Sequence, residues 1–297
     1  MNVNVSQLIN DKVLAIIWRL SGLPFWRMIL ILSGCIFLLV AIFIILIKIV
    51  RGSDKTFVVS DGASMANTIN ASIYGLILAF FVVAMYDDSQ KVQDSISQET
   101  DSLVAILKNS QKFNNAPQIR AEVKNYIRVV VDQEWPLMCS GKMDEAWALA
   151  MTVIDPLYKV IQEAKPQGPV QENFYAALPG VLHDLDAAHR ERLIQADAHL
   201  PAQFWRIINI MTILAVFLLV YVNPWKGIMT LLPILIPSIV ISFSLGLLIT
   251  FHYPFIGPFA ISNKDYFKGN LDFSDSANAM ARVPITSHPL KQNFQKR

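Results

Sequence analysis

Four residues able to carry protons or bind metals crowd into one stretch, His183, Asp184, Asp186 and His189 in HDLDAAH. On a helix Asp186 shares a face with His189 and with Arg190, because side chains three or four apart are neighbours. A metal centre would need further ligands from elsewhere in the chain. A solvated face with i,i+4 ion pairs accounts for the pattern better. The sequence holds no Gly-rich phosphate loop, no G-x-S-x-G and no H-E-x-x-H. Cys35 sits in an apolar run and Cys139 in the polar middle, without metal-site spacing and with no expectation of a disulfide. We expect no catalysis, no cofactor and no metal.

The second set of candidates is uncharged. Asn67, Asn70, Tyr74, Leu78, Phe81 and Met85 fall in one stripe of a helical wheel, and Ala71, Gly75 and Ala79 form a small-residue stripe beside it. Small residues four apart let helices approach closely. Amides and large apolar side chains on one face would suit a helix lining a pore, where apolar constrictions gate by dewetting. Packing against other helices of the same bundle explains such a stripe equally, and is the commoner role of aromatic stripes.

The elements that would position these residues follow from hydropathy. The chain has 297 residues, 54% hydrophobic and only 16% charged, with a net charge of +2. A soluble protein carries nearer a quarter charged residues, so this is a membrane protein with a water-facing part. Nothing suggests nucleic acid. Four segments are long and apolar enough to span, about Met28–Ile47, Met65–Tyr86, Ile207–Val222 and Met229–Phe251. Pro224 and Gly227 would turn the last two into a hairpin with Tyr221 and Trp225 at the interface. None carries Asp, Glu, Lys or Arg at depth, which argues against a proton-driven transporter. Pro233 and Pro237 in the fourth would kink it.

The expected organisation is all-α. An N-terminal amphipathic segment (1–27) precedes spans one and two (28–86), a helical body (87–206), spans three and four (207–251) and a tail (252–297). The N-terminal segment reads either as a surface helix or as an extension of the first span. Four spans put both termini and the body on one side. That side carries Arg19, Arg27, Lys91, Arg206, Lys264 and Lys268 against Lys48, Arg51, Lys55 and Lys226, a bias toward the cytoplasm. In the body, Pro117 would start a helix that Pro136 and Gly141 end, another would run from Asp144 to Glu163 with a break near Pro156, and a last from Glu172 toward Leu200. Between Gly75 and Pro117 there is no glycine or proline, so span two should continue into the body as one helix of roughly 60 Å.

Three segments together carry a resemblance: YGLILAFFVVAMYDDSQKVQDSISQETDSL (74–103), YIRVVVDQEWPLMCSGK (126–142) and FHYPFIGPFAIS (251–262). With HRERLIQADAHLPAQFW (189–205), they resemble a bacterial family of four-span membrane proteins labelled bestrophin-like. The resemblance marks Glu134, Trp135, Pro136, Pro254, Phe255 and Gly257 as family motif positions. Bestrophins are pentameric, mostly anion-selective channels whose second helix lines the pore. The resemblance therefore implies a homo-oligomer, a pentamer by analogy, in the bacterial inner membrane. Its partners would be lipid and inorganic ions, anions favoured, with Tyr74, Leu78 and Phe81 as neck candidates. The acidic calcium-binding cluster of true bestrophins is missing, so calcium gating is not implied. Trp135 reads as a core anchor, and Glu134 as a cap or a pair with a neighbouring helix. The rival is a membrane-anchored helical interaction or signalling module without a pore.

Overall fold

The structure is a computed structural model and describes residues 14–51, 59–197, 200–223, 231–268 and 271. Among these residues the protein is helical, without strands. The start of the N-terminal segment, the turn at Pro224 and Gly227, and the tail beyond Leu271 lie outside the described residues.

Four helices are long and apolar enough to cross a bilayer. They are α1 (Phe25–Arg51), α2 (Asp61–Asn109), α8 (Ala202–Val222) and α9 (Leu232–His252). The first three contain their expected spans whole, and α9 begins at Leu232, inside the fourth, whose first two residues lie outside the described ones. α2 is unbroken over 49 residues, roughly 70 Å at helical rise. Pro233 lies in the first turn of α9, where its missing N–H costs nothing, and Pro237 is interior.

An N-terminal helix, described over residues 14–21, precedes α1, and the other helices are α3 (Ala116–Val129), α4 (Trp135–Cys139), α5 (Met143–Val153), α6 (Asp155–Gln162) and α7 (Pro169–Asp197). The break near Pro156 falls at Ile154, between α5 and α6. Pro136 does not end its helix. A single π-helical turn, Val130–Glu134, joins α3 to α4, and Trp135 N–H donates to the Val130 carbonyl, five residues back. The cause is local. Pro136 lacks an N–H and its ring would collide with the carbonyl four residues earlier, so the backbone widens by one residue there. The chain turns away only at Gly141, whose φ of 73° suits glycine just past a helix end.

The chain divides into two compact units, residues 1–95 with 191–261, and 96–190 with 262–297. In the first, α1 packs closely on α8 and α9. A Cβ added at Gly246 of α9 would sit 2.4 Å from Ile29 Cδ1 of α1, so glycine sets that approach. Met28, Ile36, Val216, Ile234 and Leu248 fill the core. In the second unit the far end of α2 contributes Ile96, Leu103 and Ile106 to a core with Val123 of α3, Leu157 of α6 and Leu185 of α7, all nearly free of solvent. The short helical turn Asn263–Phe267 belongs here, its Tyr266 ring edge-on to Trp135 with centroids 6.1 Å apart. Trp135 is itself buried.

Candidate functional site

Two groups of side chains stand out, one in each unit. In the first, the structure turns the amide and aromatic stripe of α2 toward the chain's own helices. Tyr74, Leu78 and Met85 are buried, and Asn67, Asn70 and Phe81 partly so. The Tyr74 hydroxyl lies 2.8 Å from Thr212 Oγ1 of α8, and Thr212 donates its only proton to the Ile208 carbonyl at 2.8 Å. Tyr74 is therefore the donor of that bond. Phe81 meets Phe204 edge-on at 5.5 Å between ring centroids. Tyr74→Phe is expected to cost about 1 kcal/mol, the usual net value of one buried hydrogen bond, read as a small drop in thermal midpoint.

Ala71, Gly75 and Ala79 are exposed. A Cβ added at Gly75 would meet nothing within 4 Å. These small residues instead line an apolar groove of about 610 Å³ whose other wall includes Leu219, Pro237 and Ser244. The remaining face of α2 is uncovered. It presents Ile69, Ile73, Leu76, Phe80 and Val83, then Asp87, Gln90 and Asp94. Thr68 and Ser72 turn their protons back to the carbonyls of Ser64 and Thr68, so they add little polarity. Of the four spans, α2 is the least covered by its own chain.

The second group is a buried chain of ionisable residues. Glu99 of α2 and Glu134 of the π turn have no exposure; Tyr126 of α3 and His189 of α7 have almost none. Tyr126 donates to Glu99 Oε1 at 2.7 Å, and its oxygen also meets His189 Nδ1. On the other side of the ring, His189 Nε2 lies 3.1 Å from Glu134 Oε2. That is an ion-pair distance. Burial works to lower the His189 pKa, but the hydrogen bonds and charges of Glu134 and Glu99 outweigh it and raise it to about 9. The two carboxylates face opposite nitrogens of one ring, so they cannot share an ion with it. No group among the described residues has metal-binding geometry.

The π turn explains how Glu134 arrives there. Ile119, Val123, Ile127, Val131 and Trp135 are buried at steps of four, as are Tyr126, Val130, Glu134 and Met138. In an α-helix each such step drifts about 40° around the axis. The wider turn takes up that drift and keeps Glu134 and Trp135 on the side of Tyr126 and Ile127. Glu134 does pair with a neighbouring helix. The expectation for HDLDAAH is met in one part and corrected in another. Asp186 and Arg190 form an exposed pair at 2.6 Å, and His183 and Asp184 face solvent. His189, however, is core, because its partners come from distant parts of the chain.

The third motif stretch shapes a loop. The Pro254 carbonyl accepts from Ile261 N at 2.8 Å, Phe255 is buried, and Gly257 has φ of 95°. Cys139, partly buried, has its thiol pushed up to about 11 by desolvation and is no reactive thiolate at neutral pH.

Comparison with curated proteins and with solved structures gave no match. A family model described as a Bestrophin-like domain matches residues 34–266, which takes in the first span from residue 34 on, the other three spans, the π turn with Glu134 and the Gly257 loop. The four apolar helices, the unbroken second helix and this match agree, and the chain belongs to the bestrophin-like family.

Proposed function

We propose that the protein is a homo-oligomeric ion channel of the bacterial inner membrane, with the uncovered face of α2 on the pore axis. The observation that carries this reading is the character of that face along one continuous helix. It is apolar from Ile69 to Val83, with no charged residue between Asp61 and Asp87, and then acidic at Asp87 and Asp94. Repeated around an axis, Leu76, Phe80 and Val83 would make an apolar constriction able to gate by dewetting, and the aspartates would make rings. Family resemblance favours anions. Carboxylate rings favour cations, and since charge at a pore mouth sets which ion concentrates there, cation passage is the form we propose. The body and termini would be cytoplasmic, following the modest Lys/Arg bias.

Two adjacent phenylalanines separate a pore wall from packing. Phe80→Ala should change ion flux through reconstituted liposomes several-fold at unchanged oligomer size, whereas Phe81→Ala, on the inward face, should mainly lower thermal stability by about 2–4 kcal/mol. Asp94→Asn should move the reversal potential in a salt gradient toward anion passage. A monomer in mild detergent with no flux of chloride, nitrate, sodium or potassium would overturn the channel reading and favour a poreless interaction module. Flux altered by Phe81→Ala but not by Phe80→Ala would return the pore to the Tyr74 stripe.

A further inference from the structure

The N-terminal helix has one side that packing accounts for and one that it does not. Ile17 is buried, and Leu14, Trp18 and Leu20 pack against the core that also takes in Tyr253 and Ile256, just past α9. Leu23 N–H donates to the Leu20 carbonyl at 3.1 Å, and the chain enters α1 through Pro24. The other side of the helix carries Ile16, 58% exposed, and Arg19, also exposed. In the first turn of α1, Trp26 is 60% exposed, and the Arg27 guanidinium carbon stands 5.1 Å from the centroid of its ring. Every one of these residues belongs to the first unit.

A chain of rings marks the level of this surface. Phe25, at the start of α1, meets Phe259 with centroids 5.7 Å apart, and Phe259 meets Phe251, near the end of α9, at 6.4 Å. Phe251 in turn meets Tyr86 of α2 at 5.4 Å, where the apolar part of that helix gives way to Asp87. Aromatic rings gathered where three spans end are the mark of a membrane–water boundary. Charge along the N-terminal stretch is of one sign, with no Asp or Glu between Lys12 and Ser53. Among the described residues neither Arg19 nor Arg27 is in an ion pair. Of the acids at the exit of α2, Asp88 pairs with Lys91, and Asp87 lies on the face assigned above to the pore.

We propose that the outward side of the N-terminal helix, together with Trp26 and Arg27, is a docking surface for the headgroups of anionic phospholipids. A guanidinium lying against an indole ring keeps its charge and presents its N–H edge to phosphate oxygens. Trp26 and Ile16 supply apolar bulk for the zone between headgroups and acyl chains. An anionic headgroup complements the two cations, whereas a zwitterionic one brings an ammonium of its own. Each arginine at a membrane surface favours anionic lipid about fivefold.

The test places the full chain in phosphatidylcholine nanodiscs with a rising share of phosphatidylglycerol whose acyl chains carry bromine, a quencher of nearby tryptophan. The signal is the part of the emission that Trp26→Phe removes, read at about 0.1 M salt. Brominated phosphatidylglycerol should quench it at a mole fraction more than about tenfold below that of brominated phosphatidylcholine. Arg27→Gln and Arg19→Gln should each cut that preference about fivefold, and the double variant should remove it, with thermal midpoints unchanged. Lys48→Gln, at the other end of α1, should leave the preference intact. Equal quenching by the two lipids, a preference unmoved by both arginine variants, or its loss on adding millimolar inorganic phosphate would overturn the proposal. So would a Trp26 beyond the reach of either lipid, which would put a second copy of the chain over it. None of these readouts uses ion flux, so the lipid surface and the channel reading stand or fall separately.

Discussion

Glu134→Ala is expected to destabilise the second unit by about 3–5 kcal/mol, the cost of removing one partner from a buried ion pair. Glu134 is wholly buried, with its Oε2 3.1 Å from His189 Nε2. Truncation leaves a protonated ring facing a void on one side, with only the Tyr126–Glu99 arm on the other. That loss is a large fraction of the ~5–15 kcal/mol that holds a typical domain folded. Glu134→Gln keeps the volume and an acceptor while removing the charge, and should cost about 1–3 kcal/mol. Thermal unfolding of the purified protein in detergent, followed by tryptophan fluorescence, checks both, since Trp135 adjoins the site. The pH dependence supplies a second check. The gap between wild type and Glu134→Ala should be widest below pH 8 and shrink above pH 9, where His189 sheds its proton in the wild type. A Glu134→Ala midpoint within a degree of wild type would mean that water or another side chain replaces the carboxylate.

How far the sequence reveals this architecture depends on whether the determining contacts are local. The spans are local: runs of apolar residues of bilayer length, with breaks where charge returns, mark all four. α2 is legible for the same reason, since a stretch without glycine or proline has nothing to stop a helix. The stripe from Asn67 to Met85 is legible as a face, but a wheel does not say what the face meets, and it meets α8 through Thr212 and Phe204. The buried chain is the opposite case. His189 looked solvated because Asp186 and Arg190 on the same helix make a surface pair, whereas Glu99 and Glu134 reach it from other helices. A signal was present even so. Apolar residues recurring strictly every four positions from Ile119 to Trp135 cannot stay on one face of an α-helix. Followed by Pro136, that pattern marks a widened turn and points Glu134 inward.

Gly257→Ala is expected to cost about 2–5 kcal/mol, from two independent causes acting at one backbone atom. The first is conformation: φ of 95° lies where residues with a Cβ are strained, typically by about 1–3 kcal/mol. The second is space. A Cβ at this position would lie 2.4 Å from the Ser21 carbonyl oxygen, which is backbone and cannot swing aside. Overpacking of this kind adds about 1–3 kcal/mol. Ser21 is itself held, almost fully buried, with its hydroxyl donating to the Trp18 carbonyl at 2.8 Å. The loop opposite is held by Ile256 N to Tyr253 O at 3.1 Å and Ile261 N to Pro254 O at 2.8 Å. Relief would therefore require the N-terminal helix and the loop after α9 to part. Gly75→Ala provides the contrast, because it lies mid-helix with nothing within 4 Å of the added carbon. There the ordinary helical preference for alanine should leave stability unchanged or raise it by about 0.5–1 kcal/mol. Thermal midpoints of the two variants should thus move in opposite directions, although both insert one methyl group into the same unit. If Gly257→Ala melts with the wild type, the loop has an alternative path past Ser21, and its glycine is retained for something other than fit.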